Sequence, residues 1–101
     1  MFNKENRYVS RVANSAIGIR LQLIMWNLID ELKMKVKVDY LQIFRISKDD
    51  NKKMIIEHEQ EVPKYKEKYS IELLDIEITS VIKVYVIDSI DYSTMILAEE
   101  Y

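Results

Sequence analysis

IRLQLIMWNLIDELKMK, residues Ile19 to Lys35, holds no Gly or Pro and consists mainly of good helix formers. At 100° per residue, Leu21, Ile24, Met25, Leu28, Ile29 and Leu32 share an arc of about 140°, the signature of a helix laid on a core. The opposite side is the unusual one. Ile19, Leu23, Trp26 and Met34 gather within about 80° around Asp30, leaving Arg20, Asn27 and Glu31 as the clearest polar strip. A helix in a two-layer domain needs one apolar face. The second stripe is therefore either covered by another segment of the chain or kept for a partner.

Downstream the hydrophobic period changes from 3.6 to 2. Residues Asp39 to Ile46 are apolar on both faces, with Tyr40, Phe44 and Ile46 on one and Leu41 and Ile43 on the other, which places this strand centrally in a sheet. Lys48 to Lys52 has a turn composition, and Lys53 to Val62 then alternates between Met54, Ile56, His58, Gln60, Val62 and Ile55, Glu57, Glu59, Glu61. The pattern is a hairpin over 39–62 with an acidic solvent face. Ser70 to Leu74 reads as a short strand. Ile76 to Val86 gives the longest strand signal, interrupted at Ser80, and Ser93 to Glu99 gives the last. Upstream, Arg7 to Val12 suits an edge strand and Ala13 to Gly18 a connector. The sum is an α+β domain, with one main helix packed on a mainly antiparallel sheet of four to six strands.

With 101 residues and 12.1 kDa, the chain has room for a single compact domain over 1–101. Hydrophobic content of 49% beside 32% charged residues excludes a disordered chain. A formal charge of −2 supplies no overall basic field for phosphate backbones. With no Cys, disulfide scaffolds and thiolate catalysis are excluded, and a single Gly excludes a Gly-rich phosphate loop. The N-terminal residues lack a secretory pattern, and no apolar run approaches the roughly 20 residues of a membrane span. A cytoplasmic location without membrane contact is the expectation.

The order of motifs is informative as a whole. Arg7-Tyr8 and Arg11 come first, followed by Leu21-Gln22, Met25-Trp26, Leu28-Ile29-Asp30 and Leu32. Next are Asp39-Tyr40-Leu41-Gln42-Ile43-Phe44, His58-Glu59-Gln60-Glu61 with Pro63 and Tyr65, Val84-Tyr85-Val86-Ile87-Asp88, and the ending Tyr92 to Tyr101. This series resembles the family called domain of unknown function 960, over nearly the whole chain. The family comprises short proteins of Gram-positive bacteria and their phages or mobile elements. The resemblance implies a bacterial, cytoplasmic, single-domain protein and carries over no activity and no catalytic residue. Asp88-Ser89-Ile90-Asp91 lacks the Gly expected in a tight turn at that point.

His58 is the only imidazole, and on a strand its neighbours Glu57 and Glu59 point to the other face and cannot orient it. It reads as a core or rim residue, so no catalytic residue is expected. One His and no Cys exclude the usual zinc sites. Counted from Asp49, the sixth and twelfth positions of a calcium loop fall on Met54 and Gln60, so no metal and no cofactor are expected. Arg7 and Arg11, with Lys64, Tyr65, Lys66 and Lys68, interleave basic and aromatic side chains as nucleic-acid surfaces do. Residues 1–20 are mainly basic and 75–101 mainly acidic, an asymmetry most simply used by bringing the two ends of the chain together. The leading expectation is a non-enzymatic protein-interaction module. It acts through Ile19, Leu23, Trp26 and Met34, with a protein partner or a homodimer on that face, and a small nucleic-acid-associated regulator is the alternative.

Overall fold

A computed structural model of the protein describes residues 1–72, 76 and 78–101. In chain order its elements are β1 (Arg7–Val9), α1 (Arg11–Ala16), α2 (Ile19–Lys33), β2 (Leu41–Lys48), β3 (Met54–Gln60), β4 (Tyr65–Ile71), β5 (Ile82–Asp88) and β6 (Ser93–Leu97), with a 3₁₀ turn at Ala98–Glu100. The strands form one sheet in the order β1-β6-β5-β2-β3-β4. Each neighbouring pair is antiparallel except β1 with β6, which runs parallel. The fold is α+β, with α2 as its main helix.

The strand period of 2 decides which residues meet the helices. Phe44 and Ile46 of β2, Met54 and Ile56 of β3, Val84 and Val86 of β5, and Met95 and Leu97 of β6 are buried together with Leu21, Met25, Leu28 and Ile29 of α2. Phe2, Ala13 and Ile17 complete this layer from the N-terminal side. β2 lies between β5 and β3, the central place its two apolar faces predict. Opposite the helices, the hairpin's carboxylates are neutralised. Arg45 of β2 reaches Glu57 at 3.1 Å and Glu59 at 2.7 Å, and Lys66 and Lys68 of β4 each approach Glu57 at 3.7 Å. The expected acidic face is thus a mixed ionic ladder, because the register sets Arg45 and Lys68 on either side of Glu57.

Three elements differ from the sequence pattern. Residues 13–16 form a helix, not a connector: Ser10 caps α1 by accepting from the Ala13 N–H at 3.1 Å, and Ala13 and Ile17 are buried beneath it. The edge strand stops at Val9 for the same reason. β4 covers Tyr65–Ile71, where interleaved Lys and Tyr read as a surface patch; of the strand expected at Ser70 to Leu74, residues 73 and 74 lie outside the described residues. Its period of 2 is present in Tyr65, Tyr69 and Ile71, but an edge strand rich in Lys buries too little to announce itself. β5 begins at Ile82, so Ser80 precedes the strand and does not interrupt it; Glu77 of the expected segment is outside the described residues.

Candidate protein-interaction site

α2 buries Leu21, Gln22, Met25, Trp26, Leu28, Ile29 and Leu32, a sector of about 160° at 100° per residue. Trp26 stands at one border of that sector. It is 9% exposed, while Ile19, Leu23 and Met34 are 64%, 59% and 89% exposed. The second apolar stripe therefore divides. Three of its members face outward, and Trp26 belongs to the core with only an edge remaining at the surface.

What covers Trp26 is the N-terminal segment. The Arg7 guanidinium lies 4.7 Å from the indole centroid, donates to the Phe2 carbonyl at 2.7 Å and pairs with both carboxylate oxygens of Asp30. This cation stacked on a ring and held by a partly buried carboxylate fixes the N-terminal segment against α2. Between the two runs a groove lined by Lys4, Arg7, Leu23, Trp26, Asn27 and Asp30. Arg7 and Asp30 neutralise each other there, and Lys4 makes no ion pair among the described residues. The groove thus combines two apolar lining residues, Leu23 and Trp26, with one uncompensated positive charge. Lys4 and Asn27 carry no signal in the sequence, since the groove exists only once the N-terminal segment crosses the helix.

The residues of the nucleic-acid reading are not brought together. Arg7 is engaged by Asp30 and sits over Trp26, whereas Arg11 is exposed on α1. Lys64, Tyr65, Lys66 and Lys68 belong to or adjoin β4, at the opposite edge of the six-stranded sheet from β1. Five strand spacings separate the two groups by about 24 Å. Tyr65 is half-buried: its ring edge meets His58 at 5.5 Å and its hydroxyl lies 2.7 Å from that of Tyr69. Burial and that bond push its pKa upward. Such a ring is not free to stack on a base.

His58 is fully buried, stacked on Phe44 with ring centroids 4.3 Å apart. Its Nε2 lies 2.6 Å from Gln42 Oε1. Gln42 Nε2 already donates to the Asp39 carbonyl at 2.9 Å and to Gln60 Oε1 at 2.8 Å, so the hydrogen of the imidazole resides on Nε2 and is donated to Gln42. Gln60 continues the chain, donating to the carbonyls of Lys37 at 3.1 Å and Pro63 at 2.8 Å. This relay ties β2 and β3 to the segments that precede and follow them. Desolvation lowers the His58 pKa to about 4, so the ring is neutral at pH 7. Glu57 and Glu59 point away, and Arg45 holds the Glu59 carboxyl below its ordinary value chiefly through their hydrogen bond. The relay is not legible in the sequence because Gln42 and Gln60 occupy the core-facing parity, where polar residues signal nothing until their partners are known. Among the described residues, no group of three or more His, Asp or Glu could hold a metal ion. No helix is long and apolar enough to cross a membrane among those residues.

Comparison with solved structures finds the same architecture in a protein of unknown function from Enterococcus faecalis, known from a crystal structure. It is 21% identical, with a TM-score of 0.84 over 100% of this chain and 98% of that one. At that identity the likeness concerns the fold. No curated protein matches the chain. The model of the DUF960 family, described as a staphylococcal protein of unknown function, matches residues 6–100. Extending over every element from β1 to the final 3₁₀ turn, that match establishes that the chain belongs to the DUF960 family.

Proposed function

We propose that the protein is a non-enzymatic interaction module that docks a short segment of a partner protein in the groove between the N-terminal segment and α2. The observation that carries this reading is Leu23, an apolar side chain 59% exposed that lines a groove beside the edge of Trp26. Exposed apolar side chains beside a ring whose geometry is fixed by an ion pair are what an anchor residue requires. The lone charge of Lys4 selects a carboxylate next to that anchor. A homodimer formed by this face alone is less well supported. The 15-residue helix is about 22 Å long, and three outward side chains on it fall short of the roughly 800 Å² that each partner buries in a standard interface. The fully enclosed His58 relay supports a structural use of the one imidazole.

A phage-displayed random-peptide library tests this reading without requiring the partner to be identified. Peptides with a large apolar residue beside Asp or Glu are expected to be enriched, and to lose at least tenfold in affinity against Leu23→Asp and Lys4→Glu. Both positions are exposed, so stability should change by no more than about 0.5 kcal/mol. No enrichment, or peptides that bind the two variants as well as the parent, overturns it.

A further inference from the structure

The β1–β6 edge of the sheet carries a separate feature. Tyr8 of β1 and Tyr92, just before β6, are 56% and 48% exposed, and their rings meet at 80° with centroids 6.0 Å apart. Asn6, Asp91 and Thr94 line a shallow cavity together with the two rings. Among the described residues the Asp91 carboxylate makes no hydrogen bond and no ion pair, whereas the neighbouring Asp88 is committed to the Phe2 and Ile90 N–H groups. No Lys, Arg or His occurs between residues 84 and 101, so β6 and the turn before it bring no cation of their own to Asp91. The turn that presents Asp91 and Tyr92 is strained. Ile90, where a Gly would be relaxed, has φ of 77° and is 92% exposed. A β-branched residue in the left-handed region gains nothing there from packing, and such outliers concentrate at ligand sites.

We infer that the Tyr8–Tyr92 corner is a binding site for an alkylammonium group, held over an exposed tyrosine face and neutralised by Asp91. An exposed tyrosine face attracts a cation within about 6 Å of its centroid, and Asp91 lines the same cavity as both rings. The site is independent of the α2 groove. Its ligand is either a free amine or the lysine ammonium of another chain, and the chemistry of recognition is the same.

Titration of the full-length, ¹⁵N-labelled protein with tetramethylammonium chloride, against sodium chloride at equal ionic strength, tests it. Saturable shifts are expected at Asn6, Tyr8, Asp91, Tyr92 and Thr94, at least tenfold weaker in Asp91→Asn and in Tyr8→Leu, whose spectra should otherwise match the parent. A parallel titration with a short peptide bearing one trimethyl-lysine separates the sources. Tighter binding of the peptide assigns the site to a partner chain, and equal or weaker binding to a free amine. Absence of saturable shifts, shifts reproduced by sodium chloride, or affinities unchanged in both variants would overturn the assignment.

Discussion

At the scale of single residues, His58 makes the sharpest prediction. Unfolded, its imidazole takes a proton near pH 6.5; folded, only near 4, because burial opposes the charge. Between these values the unfolded chain binds more protons. The contribution is therefore complete above about pH 6.5 and is lost as pH falls towards 4, amounting to about 3 kcal/mol. Denaturant unfolding should show about 2 kcal/mol of this loss between pH 7 and 5, and His58→Gln should flatten the dependence in that window. An unchanged slope in the variant would place the proton elsewhere. The inward direction of His58 is legible from its parity with Met54 and Ile56. Its bond to Gln42 is not, since the pairing depends on the register of β2 against β3. Trp26 is legible as part of a second apolar stripe, to be covered by the chain or by a partner, whereas the guanidinium over it comes from Arg7, nineteen positions earlier in the chain, which no local pattern announces.

Among the elements, α2 and the β2–β3 hairpin are legible because their periodicities are long and unbroken. α1 is not. Its six residues bury little, and its existence depends on the Ser10 cap, on burial of Ala13 and Ile17, and on Gln22, whose side chain donates to Asn14 at 2.9 Å and to the Ile17 carbonyl at 2.7 Å. Ser10→Ala should accordingly cost about 1 kcal/mol of stability in a denaturation measurement, the usual worth of an N-cap. A loss below a few tenths would mean that tertiary packing alone holds the helix. β4 is hidden for the reason that keeps it safe at an edge: Lys66, Glu67 and Lys68 discourage further strand addition and mask the alternation.

At the scale of the whole molecule, the two chain ends meet as their opposite charge suggests, though mainly by other means. β1 pairs with β6, the Phe2 N–H donates to Asp88 at 3.0 Å, and the Ser10 hydroxyl donates to Glu100 at 2.7 Å. Phe2 is fully buried and anchors the N-terminal segment to the core, and Lys4 and Arg7 of that segment form one wall of the α2 groove. The groove follows from this closure, which explains why the helix face is legible as a candidate and its shape is not. A benzophenone side chain placed at Leu23 in the bacterial cell, with Lys83 on the opposite sheet face as control, probes docking in the groove most directly. One discrete adduct is expected from position 23, absent from position 83 and lost with Lys4→Glu, in which the crosslinked peptide pairs an apolar residue with Asp or Glu. Adducts with a second copy of the chain, equal labelling from both positions, or none from position 23 would contradict docking of a partner segment there.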